Sequence, residues 1–434
     1  MTDSRTRVLL ADTPGDGPAV AARAPGRVNL IGEHTDYNGL PVLPIAIDRD
    51  VLVVARRRSD DTVELSNADP AFPPRRYVLR GEIPPFPPGD WGNYHKAAAV
   101  GLRTVLGGER SLPGGSFRAH GAIPVAAGLS SSSALTVACG LAHLALADVE
   151  RPRLELADLF ARAERYVGTL GGGMDQAATL LAEAGHALHI DFFPLRTRPV
   201  PVPARAGFVV AHSLELAEKS GRVRGLYNQR VVECRLACAL LARRTGVPAT
   251  RLGDFPDRTA LLASLARLLP EDEVLAEALP DLLGVTPEEL RASLVGGEAL
   301  AAPGRFTLRR RVRHVLGEAE RVAAAEQALR HGDLGALGEL MNESHRSCAE
   351  DYEVSTPALD QLAALARTHG ALGARLTGAG FGGAIVALVE REGVAALIAA
   401  LDRHFYAARG ARSELRLAVE PGGGAVVKRL GGAT

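Results

Sequence analysis

Lysine is almost missing from this chain. Of 50 Lys and Arg residues only three are lysines (Lys96, Lys219 and Lys428), and none follows a glycine. That excludes the Gly-x-x-x-x-Gly-Lys-Ser/Thr phosphate loop, so nucleotide chemistry here needs another way of holding phosphate. Cysteine is sparse as well. Cys139, Cys234, Cys238 and Cys348, with no Cys-x-x-Cys pair, fit reduced cytosolic thiols rather than a disulfide framework. Cys234 and Cys238 fall on one helical face with no histidine beside them, which reads as two packed core thiols rather than a zinc site. Net charge is absent, 50 basic against 50 acidic residues, so no global field favours nucleic acid, an anionic membrane or an acidic partner. The weakly polar run Ala134 to Ala147 falls short of the roughly 20 residues a bilayer requires and contains His143, so it reads as a buried helix. No apolar run lies in the first fifteen residues, and a cytoplasmic location is expected.

What is present fits a folded protein of two or three domains. The 434 residues are 47% hydrophobic and 23% charged, the balance of a soluble globular chain. Four prolines between Phe193 and Arg205 disfavour a helix or an interior strand there, which puts a domain junction near residue 200 and gives domains 1–200 and 201–434. Upstream, Gly26 to Ile31 and Val51 to Ala55 read as strands, and Ala134 to Ala147 and Leu154 to Tyr166 as helices. Downstream, helical patterns cover Val223 to Arg244, Arg311 to His331 and Pro357 to His369, with strands at Gly383 to Val389 and Glu414 to Val419. The first half is mixed α/β and the second helix-rich α+β. Arg75 to Gly89 and Gly107 to Gly115 read as loops, and no 20- to 50-residue period marks a repeat protein.

Three segments carry chemistry-bearing side chains. In Gly26-Arg27-Val28-Asn29-Leu30-Ile31-Gly32-Glu33-His34-Thr35-Asp36-Tyr37-Asn38-Gly39 a short apolar strand runs into Glu, His and Asp and then a turn. That suits a polyhydroxyl ligand, although a solvated loop with a capping Asp has the same composition. In Gly128-Leu129-Ser130-Ser131-Ser132-Ser133, small residues lead into the Ala134 helix, whose N-terminal N–H groups can receive phosphate without a lysine. A serine cap is the alternative there. Gly378-Ala379-Gly380-Phe381-Gly382-Gly383 satisfies Gly-x-Gly-x-x-Gly but precedes a strand, which rejects a dinucleotide fold; a dehydrogenase, the other enzyme class this loop suggests, would need nicotinamide binding that NAD titration would expose. The loop is left either approaching a ligand or another loop, or making a plain tight turn. Between the second and third segments lie Glu164, three glycines (Gly171, Gly172, Gly173) and Asp175, where Asp175 either reaches a ligand or caps the helix through Gln176 to Ala184.

Together these motifs resemble the GHMP family of small-molecule kinases, and within it the galactokinase group. The Gly26 to Gly39 segment is close to the galactokinase signature. Gly128-Leu129-Ser130-Ser131-Ser132 and Leu376-Thr377-Gly378-Ala379-Gly380-Phe381-Gly382-Gly383 follow in the family's order, with Glu343 to Ser347 and Asp351 to Ser355 between them. The resemblance implies a two-domain fold with its active site in the interdomain cleft, and transfer of phosphate from ATP to the anomeric hydroxyl of galactose. It implies Asp175 as catalytic base and Arg27 as its electrostatic partner, with Glu33, His34, Asp36, Gly173 and Tyr227 around the sugar. Gly128, Ser130, Ser131 and Ser132 would cradle ATP phosphates, Ser132 and Glu164 would hold Mg2+, and Trp91 would stack near adenine. The implied partners are a small sugar and ATP, not nucleic acid or membrane. Oligomeric state is left open, a monomer being compatible. Two alternatives carry features of their own. The short Gly168-Thr169-Leu170-Gly171-Gly172-Gly173-Met174-Asp175 run and Arg230 to Leu236 resemble the N-acetylgalactosamine kinase branch, whereas Tyr227 is galactokinase-like. Some galactokinase-like proteins are non-catalytic sensors, against which the serine loop, Asp175 and Arg27 are all in place.

Overall fold

A computed structural model of the chain describes residues 3–106, 112–125, 127–216, 222–295, 304–410 and 415–430. The strands are β1 (Ala19–Asn29), β2 (Pro44–Arg57), β3 (Thr62–Asn67), β4 (Arg75–Val78), β5 (Gly115–Gly121), β6 (His186–Asp191), β7 (Arg196–Pro201), β8 (Ala206–His212), β9 (Val274–Leu275), β10 (Arg305–Phe306), β11 (Gly373–Thr377), β12 (Ala384–Glu390), β13 (Arg416–Val419) and β14 (Val426–Leu430). Six form a mixed sheet in the order β14-β1-β2-β5-β3-β4, and four form a second in the order β11-β12-β8-β13. Only β3 and β5 run parallel within the first sheet; every pairing in the second is antiparallel.

Period-2 patterning explains how the first sheet is covered on both faces. Val20, Ala22 and Ala24 of β1 and Val51, Val53 and Ala55 of β2 enter the main core. Helices Ser131–Leu146 and Met174–Leu181 pack on that part of the sheet. The alternate residues Ala21, Leu52 and Val54 pack with Leu9 of helix Ser4–Ala11. A bulge between Pro25 and Arg27 breaks the β1–β2 register. There the Arg27 N–H donates to Leu129 O at 3.2 Å, which docks the serine loop onto the strand.

In the second half, helices Leu334–Glu350 and Pro357–Thr368 pack on β11. The main core takes Val322 and Leu337 as well as Val28 and Leu30, so the two halves share apolar packing. Cys234 and Cys238 are buried thiols of helix Arg222–Thr245, in a second core with Leu240 and Leu316. No helix of the described residues is long and apolar enough to cross a membrane.

Several sequence expectations meet a different local structure. Arg75 to Gly89 begins with a strand, not a loop. Only Tyr77 of β4 is buried, so this sheet-edge strand carries no apolar alternation to reveal it. Residues 107–111 lie outside the described residues, and Gly115 opens β5. The helix expected from Leu154 to Tyr166 ends at Ala163 and tightens into a 3-10 turn, Glu164–Val167, closed by Gly168 at φ 83°. The proline-bearing stretch does hold a strand, β7, but in a two-stranded sheet with β6, where proline is tolerated. Beyond residue 200, β14 returns to pair with β1.

Candidate active site

Two adjoining cavities open between the first sheet and the Gly378–Gly383 loop. The larger, about 260 Å3, is lined by Gly128, Ser130, Ser131, Ser132, Trp91 and Arg27 among others. The smaller, about 50 Å3, is lined by Arg27, Glu33, His34, Asp36, Gly173, Asp175, Tyr227 and Glu164 among others. Arg27 and Ala379 line both, so the cavities meet at these two residues.

Arg27, buried on β1, organises that junction. Its Nε and Nη2 both lie 2.8 Å from Asp175 Oδ1, and its Nη1 donates to the Gly128 carbonyl at 2.6 Å. Asp175 stands in the first turn of helix Met174–Leu181, whose N-cap is Gly173, so it is not the capping residue. The Ser133 hydroxyl faces Asp175 Oδ2 at 3.5 Å.

The signature segment is braced from behind. Glu318 Oε1 accepts from the Gly32 and Glu33 N–H groups at 2.9 and 3.3 Å. Glu33 Oε1 accepts from Gly378 N–H at 2.9 Å and Arg375 Nη1 at 3.3 Å. Burial nevertheless pushes the Glu33 carboxyl above its ordinary value, against the pull of Arg375 and Arg27. Asp36 Oδ2 accepts from the Gly172 and Met174 N–H groups and so pins the glycine loop. Burial, and then the neighbouring Asp175, raise the Asp36 carboxyl. Tyr227 is buried beside His34, with ring centroids 5.5 Å apart, and its phenol is pushed well above its usual range, chiefly by burial.

On the other side of Arg27, helix Ser131–Leu146 starts at Ser130, a residue in left-handed conformation whose side chain makes no cap bond. The Ser130 hydroxyl is buried with no hydrogen-bond partner among the described residues. The first-turn N–H groups have no carbonyl within the helix to receive them, so an anion there meets donors already in place. Trp91 is also buried in this wall, its indole N–H donating to Pro73 O at 2.9 Å. The Gly378 loop is more than a plain tight turn: it packs against the Gly128 loop and also lines both cavities through Ala379. A Cβ on Gly378 would lie 2.7 Å from Gly128 O and one on Gly128 2.9 Å from Thr377 O, so each loop needs the other's missing side chain.

Three regions of the chain match known families in that same order. Residues 12–57 match the galactokinase galactose-binding signature, residues 93–183 the GHMP kinases N terminal domain, and residues 325–407 the GHMP kinases C terminal. The galactokinase of Dictyostelium discoideum is 34% identical, over 90% of this chain and 85% of that protein. The galactokinase of Chloroflexus aurantiacus is 38% identical, over 89% and 88%. The chain belongs to the galactokinases of the GHMP kinase family.

The fold agrees. The Lactococcus lactis galactokinase, solved in complex with galactose, superposes with a TM-score of 0.75 at 30% identity, over 94% of this chain and 95% of that one. Mevalonate kinase of Methanococcus jannaschii shares the GHMP fold at 17% identity and a TM-score of 0.56. The two-domain GHMP architecture, read from the sequence as α/β (α+β), is thus the architecture of this kinase.

Within this galactokinase-family cleft the two magnesium candidates stand on adjoining cavities. Ser132 lines the larger cavity and Glu164 the smaller. Among the described residues no group of three His, Cys, Asp or Glu side chains stands ready to enclose a metal. Ser133 and Ala379 were missed as site residues. The first was the fourth serine of a run in which phosphate binding accounted for three, and the second was hidden in a loop read for its glycines.

Proposed function

We propose that the chain is an ATP-dependent galactose 1-kinase in which Asp175 takes the proton of the anomeric hydroxyl and Arg27 positions it. The Arg27–Asp175 pair at the point where the two cavities join carries this reading. An anomeric hydroxyl is a poor nucleophile until its proton is leaving, and a carboxylate within hydrogen-bond reach provides the acceptor. Because both Arg27 nitrogens converge on Oδ1, the guanidinium fixes the carboxylate's orientation and leaves Oδ2 toward Ser133. The same guanidinium reaches the Gly128 carbonyl, so its positive charge stands between base and serine loop, where charge develops on a transferring phosphoryl group.

In this reading the smaller cavity takes the sugar, with Glu33, Asp36, Gly173 and Tyr227 around it, and the larger takes ATP. Gly128, Ser130, Ser131 and Ser132 receive the phosphates and Trp91 stands in the adenine wall. ATP supplies the phosphoryl group and Mg2+ neutralises its charge when both are bound. The fit to magnesium rests on donor chemistry: the Ser132 hydroxyl and Glu164 carboxylate are hard oxygen ligands, and Mg2+ ordinarily completes its shell with water and phosphate oxygens. The two lobes divide near residue 200, with β14 returning to the first, and four unbridged buried thiols suit a cytoplasmic enzyme.

The test is a panel of galactose, N-acetylgalactosamine, glucose, arabinose and galacturonate with ATP and magnesium, following ADP and identifying the sugar phosphate. Galactose should give the 1-phosphate at the highest kcat/KM. Preferred turnover of N-acetylgalactosamine would move the assignment to that branch, and ADP release independent of sugar would refute a sugar kinase.

A further inference from the structure

Both ring nitrogens of His34 are engaged inside the protein. Nε2 lies 3.2 Å from the Ala379 carbonyl and Nδ1 3.0 Å from the Tyr37 hydroxyl. A carbonyl can only accept, so Nε2 carries a hydrogen. Burial, then the neighbouring His314, hold the imidazole well below the ordinary histidine range, so the ring is neutral and Nδ1 is bare. Tyr37 must therefore donate its O–H to Nδ1. The Tyr37 oxygen then accepts from the Tyr352 O–H, 2.7 Å away, and the Tyr352 oxygen accepts from the Cys234 S–H at 3.2 Å. One fixed acceptor at the end of the row thus decides the place of every proton in it.

The groups along the row keep their protons. Burial pushes the Tyr37 and Tyr352 phenols well above their usual range and the Cys234 thiol up to about 11. The Tyr352 ring also lies between His34 and His314, at centroid distances of 4.8 and 4.4 Å. His314 donates from Nε2 to the Glu33 carbonyl, and burial holds it neutral with its pKa down at about 4. The row ends on Ala379, the residue that with Arg27 lines both cavities.

We infer that Tyr37 and Tyr352 are positioning residues of the sugar pocket: they anchor the His34 ring through its bare Nδ1, and His34, as the Nε2–H tautomer, in turn holds Ala379 at the junction of the two cavities. This rests on the galactose-kinase reading for the pocket's occupant, but not for the row itself. With both ring nitrogens committed inside the protein, His34 acts on the pocket by holding Ala379 in place. Removing the Tyr37 hydroxyl leaves Nδ1 bare and without its donor, so the proton stays on Nε2 but the ring loses the bond that fixes its orientation against Ala379.

The test combines kinetics with 15N-histidine NMR, the His34 signals being assigned by their loss in His34→Asn. Wild type should show a neutral ring protonated at Nε2. Tyr37→Phe, which keeps the ring packing, should leave the proton on Nε2, move the Nδ1 resonance as its hydrogen bond is lost, and raise KM for galactose about tenfold, as expected for one lost buried hydrogen bond, with kcat within about twofold. Tyr352→Phe should raise it about threefold and Cys234→Ala less than twofold, a gradient that follows distance along the row. Equal KM values in wild type and Tyr37→Phe with an unchanged Nδ1 resonance would overturn the inference, as would a wild-type His34 protonated at Nδ1. The tautomer is read without turnover. Nε2–H in a wild type that phosphorylates no galactose would uphold the row and refute the kinase reading instead.

Discussion

Arg27 and Asp175, 148 residues apart in the chain, meet through two guanidinium nitrogens on a single carboxylate oxygen. The third nitrogen, Nη1, reaches the Gly128 carbonyl, so one side chain from β1 fixes both the acid on its helix and the loop before the serines. The geometry needs a planar fork. Arg27→Lys keeps the charge but cannot reach Asp175 and Gly128 together from one ammonium. We expect kcat to fall about 100-fold or more, in the range of other lost electrostatic contacts to a transition state. Steady-state kinetics decides it, and a lysine variant within fivefold of wild type would mean that charge alone suffices.

Ser132→Ala should raise the magnesium concentration needed for half-maximal activity more than it raises KM for galactose. The helix starts at Ser130 and no serine side chain caps it there, so the melting temperature should hardly move. A lost cap would instead cost on the order of 1 kcal/mol. A fall in melting temperature with unchanged activity per folded molecule would remove Ser132 from the metal site.

The glycine loop separates two neighbouring substitutions. A Cβ on Gly172 would lie 2.3 Å from the Tyr37 backbone nitrogen, whereas one on Gly171 meets nothing within 4 Å. Gly172→Ala should therefore displace the loop from Asp36 and reduce turnover of every sugar. Gly171→Val should leave folding intact and, lining the small cavity, bear on the sugar's second carbon. Any N-acetylgalactosamine activity should fall more than galactose activity. Equal losses in kcat/KM for the two sugars would show that residue 171 does not sense that carbon.

Glu318 gives the fold an acid-sensitive brace. Burial alone would raise its carboxyl, but Arg321, His314, Arg375 and the Ser344 hydroxyl bring it down to about 2. A folded-state value below the unfolded one stabilises the fold above about pH 4.5, and that contribution is lost as pH falls toward 2. The stability difference between wild type and Glu318→Gln should shrink over that window by an amount on the order of 3 kcal/mol, read from denaturant titrations at stepped pH. A difference independent of pH would contradict the assignment.

The strands and loops that carry motifs were legible because their side chains announce them locally. The Gly26 to Gly39 run, the serines before an apolar helix and the glycines before β12 each combine residue type with spacing. What was not legible depends on partners far along the chain. Nothing near Glu318 says that its carboxylate will hold the Gly32 and Glu33 N–H groups, more than 280 residues away in the chain. Nor does Tyr352 reveal that its hydroxyl will feed Tyr37. β14 is a half-exposed strand without an apolar face, and its place beside β1 comes from pairing, not pattern. His34 lines the small cavity where the resemblance implied it, but the partners of its two ring nitrogens, Tyr37 and Ala379, could not be read from its own segment.

The measurement that bears most directly on the whole account is single-turnover formation of galactose 1-phosphate by Asp175→Asn, alongside ATP binding by calorimetry. The amide keeps the shape and removes the proton acceptor. The account predicts a rate lowered about 100- to 10,000-fold with ATP affinity unchanged. Retention of more than about a tenth of the wild-type rate would show that Asp175 does not take the proton, and the proposed chemistry would fail with it.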